Sequence, residues 1–272
     1  MNKVPFTKER AKTVSVYQEP ALRIPEVAAF SNIGKREEQQ DAYWIPTSAE
    51  VDEYPVKGIY ASLADGMGGM KNGDEASNIA VEVGGEYFRS VGIQEKPHQS
   101  LLQISAQSNK NVVQYVNYED EVGGTTFIAV FIREGKLWFV SLGDSRIYLY
   151  RAGKLLMLNR EHIYARTLDV ESADGLIRWE DADNDPQRDA LTDFIGKKEK
   201  RAYDFNIRPV KLLRGDGILI MSDGVFNTLT EEEIEAEIAR KRAKAGMTHL
   251  QQAVLEKQKL SQDNFTCVYI KF

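Results

Sequence analysis

The sequence predicts an α+β fold built on antiparallel sheets. Strand-like and helix-like stretches come in blocks rather than in regular β-α-β alternation. The middle of the chain is a series of short branched and aromatic runs separated by tight-turn signals. A length of 272 residues, with 42% apolar and 28% charged side chains, suffices for one large core without disulfides or structural metals.

The elements follow in order. Residues 1–24 are polar and punctuated by Pro5 and Pro20, and read as an N-terminal tail or one extra strand; a single domain is expected over 25–272. Gly58–Ala64 is a short apolar run that stops at Asp65-Gly66, the pattern of a buried strand ending in a turn. Ala76, Ile79, Ala80, Val83 and Tyr87 recur at three- and four-residue spacing, which predicts one helix face. Leu101, Ile104, Ser108, Val112 and Val116 form the inner stripe of a second helix over about 98–117. Thr125–Arg133, Leu137–Leu142, Arg146–Arg151 and Leu155–Leu158 read as one antiparallel meander, with turns at Glu134-Gly135 and Ala152-Gly153. Residues 160–200 lose periodicity and become charged, the mark of a functional loop or flap. Ile218–Ser222 is another buried strand, ending at Asp223-Gly224. A helix is expected from Glu231 to about Lys244 with Thr230 as its N-cap, then a last helix over 248–260 and a terminal strand, Phe265–Phe272.

Charge and composition exclude several classes. A net charge of −6 argues against a nucleic-acid or anionic-membrane binder. Cys267 is the single cysteine, so there is no disulfide framework or cysteine-rich zinc module, and its apolar surroundings predict a buried thiol. No apolar run approaches the roughly 18–20 residues of a membrane span, and the first residues lack the apolar stretch of a secretory signal. A soluble, cytoplasmic protein is expected.

The chemistry is suggested by aspartates. Asp65-Gly66, Asp144-Ser145 and Asp223-Gly224 each end a strand-like run, and Asp263 directly precedes the final strand. Aspartate and glycine at a strand end are also ordinary turn residues. Sheets bring strand ends together, however, and four converging carboxylates repel unless they are protonated or bind a cation. All-oxygen ligation selects Mg²⁺ or Mn²⁺, and none of His98, His162 or His249 lies beside these aspartates to suggest zinc.

Gly34-Lys-Arg36-Glu-Glu-Gln-Gln-Asp41, Asp65-Gly-Met-Gly-Gly69, Gly124-Thr-Thr126, Gly143-Asp-Ser-Arg146, Ser222-Asp-Gly224 and Asp263-Asn264 occur in that order. Together they closely resemble the metal-dependent protein phosphatases of the 2C type (the PPM family), in its bacterial form, from about residue 28 to the C-terminus. The resemblance implies an αββα sandwich of two antiparallel sheets flanked by helix pairs. It implies a serine/threonine phosphoprotein phosphatase that hydrolyses phosphomonoesters with a water activated between two Mn²⁺ or Mg²⁺ ions, with room for a third. Asp65 would bridge two ions with the Gly66 carbonyl on one of them, and Asp223 and Asp263 would hold the other. Asp144 matches a ligand of the third, weaker ion. Arg36 matches the arginine that grips the phosphate, a task suited to a planar guanidinium. Asp41 matches a carboxylate that orients the attacking water, with Gln40 and Asn264 standing behind the ligands. The implied partners are phosphorylated proteins and an opposing serine/threonine kinase in signalling, with the enzyme acting as a monomer.

The family pattern is departed from in two places. Gln39-Gln40 replaces the more usual Asn-Glu, and an amide at position 40 cannot take a proton. Met67 stands where animal members carry a histidine, as it does in many bacterial ones. The Asp185-Pro-Gln-Arg188 stretch resembles the flap that shapes substrate access in the family. The metal-gripping residues alone leave a hydrolase of small phosphate esters open.

Overall fold

A computed structural model describes residues 23–67, 72–93, 96–118, 123–198 and 201–272. Residues 1–22 of the expected tail, and Gly68 and Gly69 of one motif, lie outside the described residues.

The chain opens with strands β1 (Glu26–Asn32) and β2 (Asp41–Trp44), short helices α1 (Ser48–Asp52) and α2 (Tyr54–Lys57), and strand β3 (Ile59–Asp65). Two long helices follow, α3 (Gly73–Ser90) and α4 (Pro97–Tyr118). Then come strands β4 (Phe127–Arg133), β5 (Lys136–Leu142), β6 (Arg146–Arg151) and β7 (Lys154–Met157). The charged segment holds α5 (Ala165–Ala173) and α6 (Trp179–Asp183), followed by the short strands β8 (Asp204–Phe205) and β9 (Val210–Lys211). Strand β10 (Gly217–Met221), the single turn α7 (Asp223–Phe226), helices α8 (Glu231–Ile238) and α9 (Ala243–Glu256), and strand β11 (Phe265–Lys271) complete it.

The strands form two antiparallel sheets, ordered β1-β11-β10-β6-β7 and β2-β3-β4-β5-β8, with β9 paired to the far end of β5. Three apolar layers result. Ile59, Ala61, Leu63, Ile128, Ile220 and Val268 fill the space between the sheets. Tyr60, Ala64, Phe127, Phe131 and the inner faces of α3 and α4 form a second core, and α8 and α9 close a third against the first sheet. The central strands are therefore buried on both faces, which is why they read as continuous apolar runs rather than as alternating ones.

Three expectations needed correction. The meander is split: β4 pairs with β5 and β6 with β7, but β5 and β6 belong to different sheets. The chain changes sheet at Gly143-Asp144-Ser145, where Gly143 has φ +95° and an added Cβ would lie 2.6 Å from the Thr126 methyl. The inner face of α3 is also rotated from the apolar stripe. Ala76, Ala80, Val81, Gly84, Gly85 and Phe88 are buried, whereas Ile79, Val83 and Tyr87 are only partly so. Gly84 and Gly85 give no apolar signal, yet Tyr60 and Trp44 pack directly on them. Finally, the helix expected from Glu231 to Lys244 stops at Ile238, because Arg240 takes φ +56° and a new helix starts at Ala243. Thr230 does cap α8, in a reciprocal box with Glu233.

Candidate metal and phosphate site

The site assembles where strand ends of both sheets meet. Asp41 and Asp65 sit opposite each other in the β2–β3 ladder, and the Gly66 N–H donates to the Gln40 carbonyl at 3.0 Å. The Gly124-Thr-Thr126 motif secures the end of β3. Thr126 Oγ1 accepts from the Asp65 N–H (2.9 Å), while the Thr126 N–H (2.8 Å) and Thr125 Oγ1 (2.9 Å) donate to the Asp65 carbonyl. Thr126 Oγ1 also shares a 2.8 Å hydrogen bond with Ser145 Oγ, tying β4 to the crossover that carries Asp144.

From the first sheet, β10 delivers Ser222-Asp223 and β11 begins just after Asp263-Asn264. Ser222 Oγ donates to Asp41 Oδ2 at 2.7 Å, which joins the two sheets behind the site. Asn264 pins the loop that carries Arg36. Its Oδ1 accepts from the Gln40 N–H at 2.8 Å, and its Nδ2 donates to the carbonyls of Ile33 (2.8 Å) and Glu38 (3.0 Å). Gly34 in that loop has φ +63°, and an added Cβ would stand 2.2 Å from the Asp263 carbonyl oxygen.

These elements surround a cleft of about 690 Å³. Arg36, Gln40, Asp65, Gly66, Asp144, Asp223 and Asp263 line it, so the fold brings together seven of the nine residues singled out from the sequence. Asp41 and Asn264 stand behind the lining, both buried. The sequence reading missed Asp189 and Leu191, which also line the cleft. Leu191 is bridged to Ile163, and the His162 N–H donates to the Gly143 carbonyl at 2.9 Å, so the flap edge hangs from the crossover. The only signal for Asp189 was its place beside Arg188 in the flap-like stretch.

The electrostatics are one-sided. Seven carboxylates line the cleft (Glu37, Glu38, Asp65, Asp144, Asp189, Asp223 and Asp263) against two basic groups, Lys35 and Arg36. Removal from water, followed by repulsion from Asp41, Asp223, Asp144 and Asp263, holds the Asp65 carboxyl well above the usual range. The same causes push Asp223 up to about 7, with Asp144 and Asp263 as its main neighbours. Asp144 rises to about 6, through burial and then the charge of Glu161. Burial raises Asp41 to about 6 despite the hydrogen bond from Ser222. Arg36 donates to Asp263 Oδ2 at 2.6 Å, and that bond raises its pKa further.

The donor set fits hard divalent cations. It is all oxygen, it is over-supplied with negative charge, and Asp41 Oδ1 is buried with no hydrogen-bond partner among the described residues. Among the described residues, no three histidine, cysteine, aspartate or glutamate side chains close into a ready-made cage. Donors spread around a wide cleft suit Mg²⁺-like ions, which keep several waters of their own.

A two-sheet sandwich whose strand ends collect carboxylates around one guanidinium defines a class of hydrolases that handle phosphate with hard divalent ions. Within that class the assignment is specific: the protein phosphatase 2C family model matches residues 31–262, and the chain belongs to that family. It is 31% identical over 185 residues to the serine/threonine phosphatase stp of Listeria monocytogenes serotype 4b, covering 66% of this chain and 71% of that protein. Among solved structures it resembles the PPM Ser-Thr phosphatase MsPP of Mycobacterium smegmatis in complex with cacodylate. That match has a TM-score of 0.70 and 27% identity over 90% of this chain and 97% of the other. The fold also matches the catalytic domain of the serine threonine protein phosphatase PstP, solved with two manganese ions. There the TM-score is 0.70 at 23% identity, over 91% of this chain and 97% of that one.

Proposed function

We propose that this chain is a serine/threonine phosphoprotein phosphatase that works with two Mn²⁺ or Mg²⁺ ions, with a third held more weakly near Asp144. The observation that carries this reading is the charge imbalance around Arg36. A guanidinium suited to a phosphate dianion faces a cleft lined by seven carboxylates, which would repel that dianion unless cations intervene. Family membership and the manganese-bound PstP domain support the same reading. Asp65, Asp144, Asp223, Asp263 and the Gly66 carbonyl would hold the ions. When bound, such ions supply positive charge to the phosphoryl group and make water nucleophilic near neutral pH.

The chain's own residues do the rest. Arg36 exchanges its bond to Asp263 for two parallel donors on the phosphate oxygens, which fixes the phosphorus for in-line attack. Asp41, held by Ser222, offers Oδ1 as an acceptor that orients the attacking water. The Gln40 amide can donate to or accept from water but cannot take its proton. Cys267 plays no part, since it is wholly buried and burial pushes its thiol far above its ordinary value.

Residues 25–272 are the catalytic domain in this reading. No helix among the described residues is long and apolar enough to cross a membrane. The substrates are phosphorylated proteins, and an opposing serine/threonine kinase places the enzyme in cytoplasmic signalling, where it acts as a monomer.

The test is hydrolysis of p-nitrophenyl phosphate and of a phosphothreonine peptide with Mn²⁺. EDTA and Asp223→Asn should each lower turnover at least about 100-fold. Full activity in chelator would overturn the assignment.

A further inference from the structure

Beyond Lys35 the surface falls into a second hollow, of about 470 Å³, that shares Lys35 with the carboxylate cleft as a common wall. Val254 and Gln262, both buried, also line it, beside Leu255, Lys259 and Leu260. Leu255 is 45% exposed and Leu260 is 96% exposed. A leucine side chain is stabilised when it leaves water for an apolar contact. Scattered exposed leucines are ordinary on protein surfaces; two lining one concave groove are a place for an apolar side chain to enter.

The charge of the groove is opposite to that of its neighbour. Among the described residues, its charged lining consists of Lys35 and Lys259. Lys259 Nζ donates to the neutral carbonyl of Asn227 at 3.1 Å, and Lys35 has no ion-pair partner among the described residues. The groove is also wired to the cleft. The Lys35 N–H donates to the Gln262 carbonyl at 2.8 Å, and Gln262 Nε2 donates to the Gly224 carbonyl at 2.9 Å. The loops bearing Arg36 and Asp223 therefore form part of its frame.

We propose that this groove docks the stretch of a phosphoprotein substrate flanking its phosphorylated residue, and that it selects a leucine-like side chain accompanied by acidic neighbours. The proposal rests on the phosphatase reading above. Two observations choose the occupant. Positive charge beside apolar walls complements an acidic, apolar segment. The shared wall at Lys35 lets one extended polypeptide reach both hollows.

The experiment has a binding arm and a kinetic arm, both on the full chain. In the first, a fluorescent unphosphorylated peptide carrying leucine flanked by glutamates is titrated by anisotropy. Binding should weaken at least tenfold in Leu260→Asp and in Lys259→Glu, and also when the peptide's glutamates become lysines. In the second, Leu260→Asp should raise KM at least tenfold for a phosphothreonine peptide with that flank. Its kcat, and turnover of p-nitrophenyl phosphate, should stay unchanged. Equal affinity of wild type and variants, or preference for the lysine peptide, overturns the proposal. So does a wild-type dimer in sedimentation that Leu260→Asp dissolves, because the occupant is then a second copy. A wild type inert toward p-nitrophenyl phosphate with Mn²⁺ sinks the phosphatase reading and the substrate role with it. The binding arm shows separately whether the groove takes the peptide.

Discussion

Asn264 holds three backbone groups at once, and in the proposed mechanism that ties catalysis to a residue standing behind the cleft lining. Its bonds to Ile33, Glu38 and Gln40 keep the Arg36 loop against the start of β11, beside Asp263. The Arg36–Asp263 ion pair contributes little of this rigidity, because its side chains are 52% and 38% exposed and solvent screens them. Asn264→Ala would remove hydrogen bonds to three part-buried backbone groups, at a cost of about 0.5–1.5 kcal/mol for each bond lost. We expect urea denaturation to show that loss, and kinetics on p-nitrophenyl phosphate to show a raised KM with a smaller change in kcat. Asn264→Asp, which keeps the acceptor for Gln40 but turns a carboxylate oxygen toward the carbonyls of Ile33 and Glu38, should be at least as damaging. An unchanged KM in both variants would detach the clamp from substrate binding.

Among the elements, α1 shows how a short helix is held. Thr47 and Glu50 form a reciprocal capping box, and Glu50 Oε1 also accepts from Arg89 Nε in the last turn of α3 at 2.7 Å. The Arg89 bond, with help from Thr47, lowers the Glu50 carboxyl from 4.5 to about 2. A depressed carboxylate stabilises the fold above its unfolded pKa and loses that contribution as pH falls through its folded one. Glu50→Gln should therefore cost about 1 kcal/mol at pH 7, allowing for solvent screening, and the gap from wild type should close between pH 4.5 and about 2. Denaturation curves across that range check it; a gap independent of pH would mean that the charge is irrelevant. Legibility at this scale varied with the kind of signal. The stripe of α4 is buried as its spacing implied, and so are the runs that became β3, β4 and β10. The face of α3 was misread because glycine carries no hydrophobic mark, and the α8–α9 break was missed because an arginine at positive φ leaves no local signature.

At the scale of the molecule, two sheets deliver five acidic side chains, Asp41, Asp65, Asp144, Asp223 and Asp263, to one end of the sandwich, where their charges oppose folding until cations arrive. Mn²⁺ should raise the melting temperature. Asp65→Asn should itself raise it in EDTA by a few degrees, at about 2–4 °C per kcal/mol, while shrinking the response to Mn²⁺. A variant that melts lower than wild type in EDTA would show that packing, not repulsion, governs position 65. The sequence by itself determined which segments are buried, where the chain turns, and which acidic residues end strands, because apolar spacing and turn chemistry are written over a few residues. It could also carry the ordered motifs that resemble the family. Only the tertiary structure decided that β5 and β6 part into different sheets, that Asp189 reaches the cleft, and that Arg36 meets Asp263 across 227 positions of chain. Local periodicity says that a side chain is buried but not against what; partners so distant along the chain are chosen by sheet pairing and packing, which exist only once the molecule has folded.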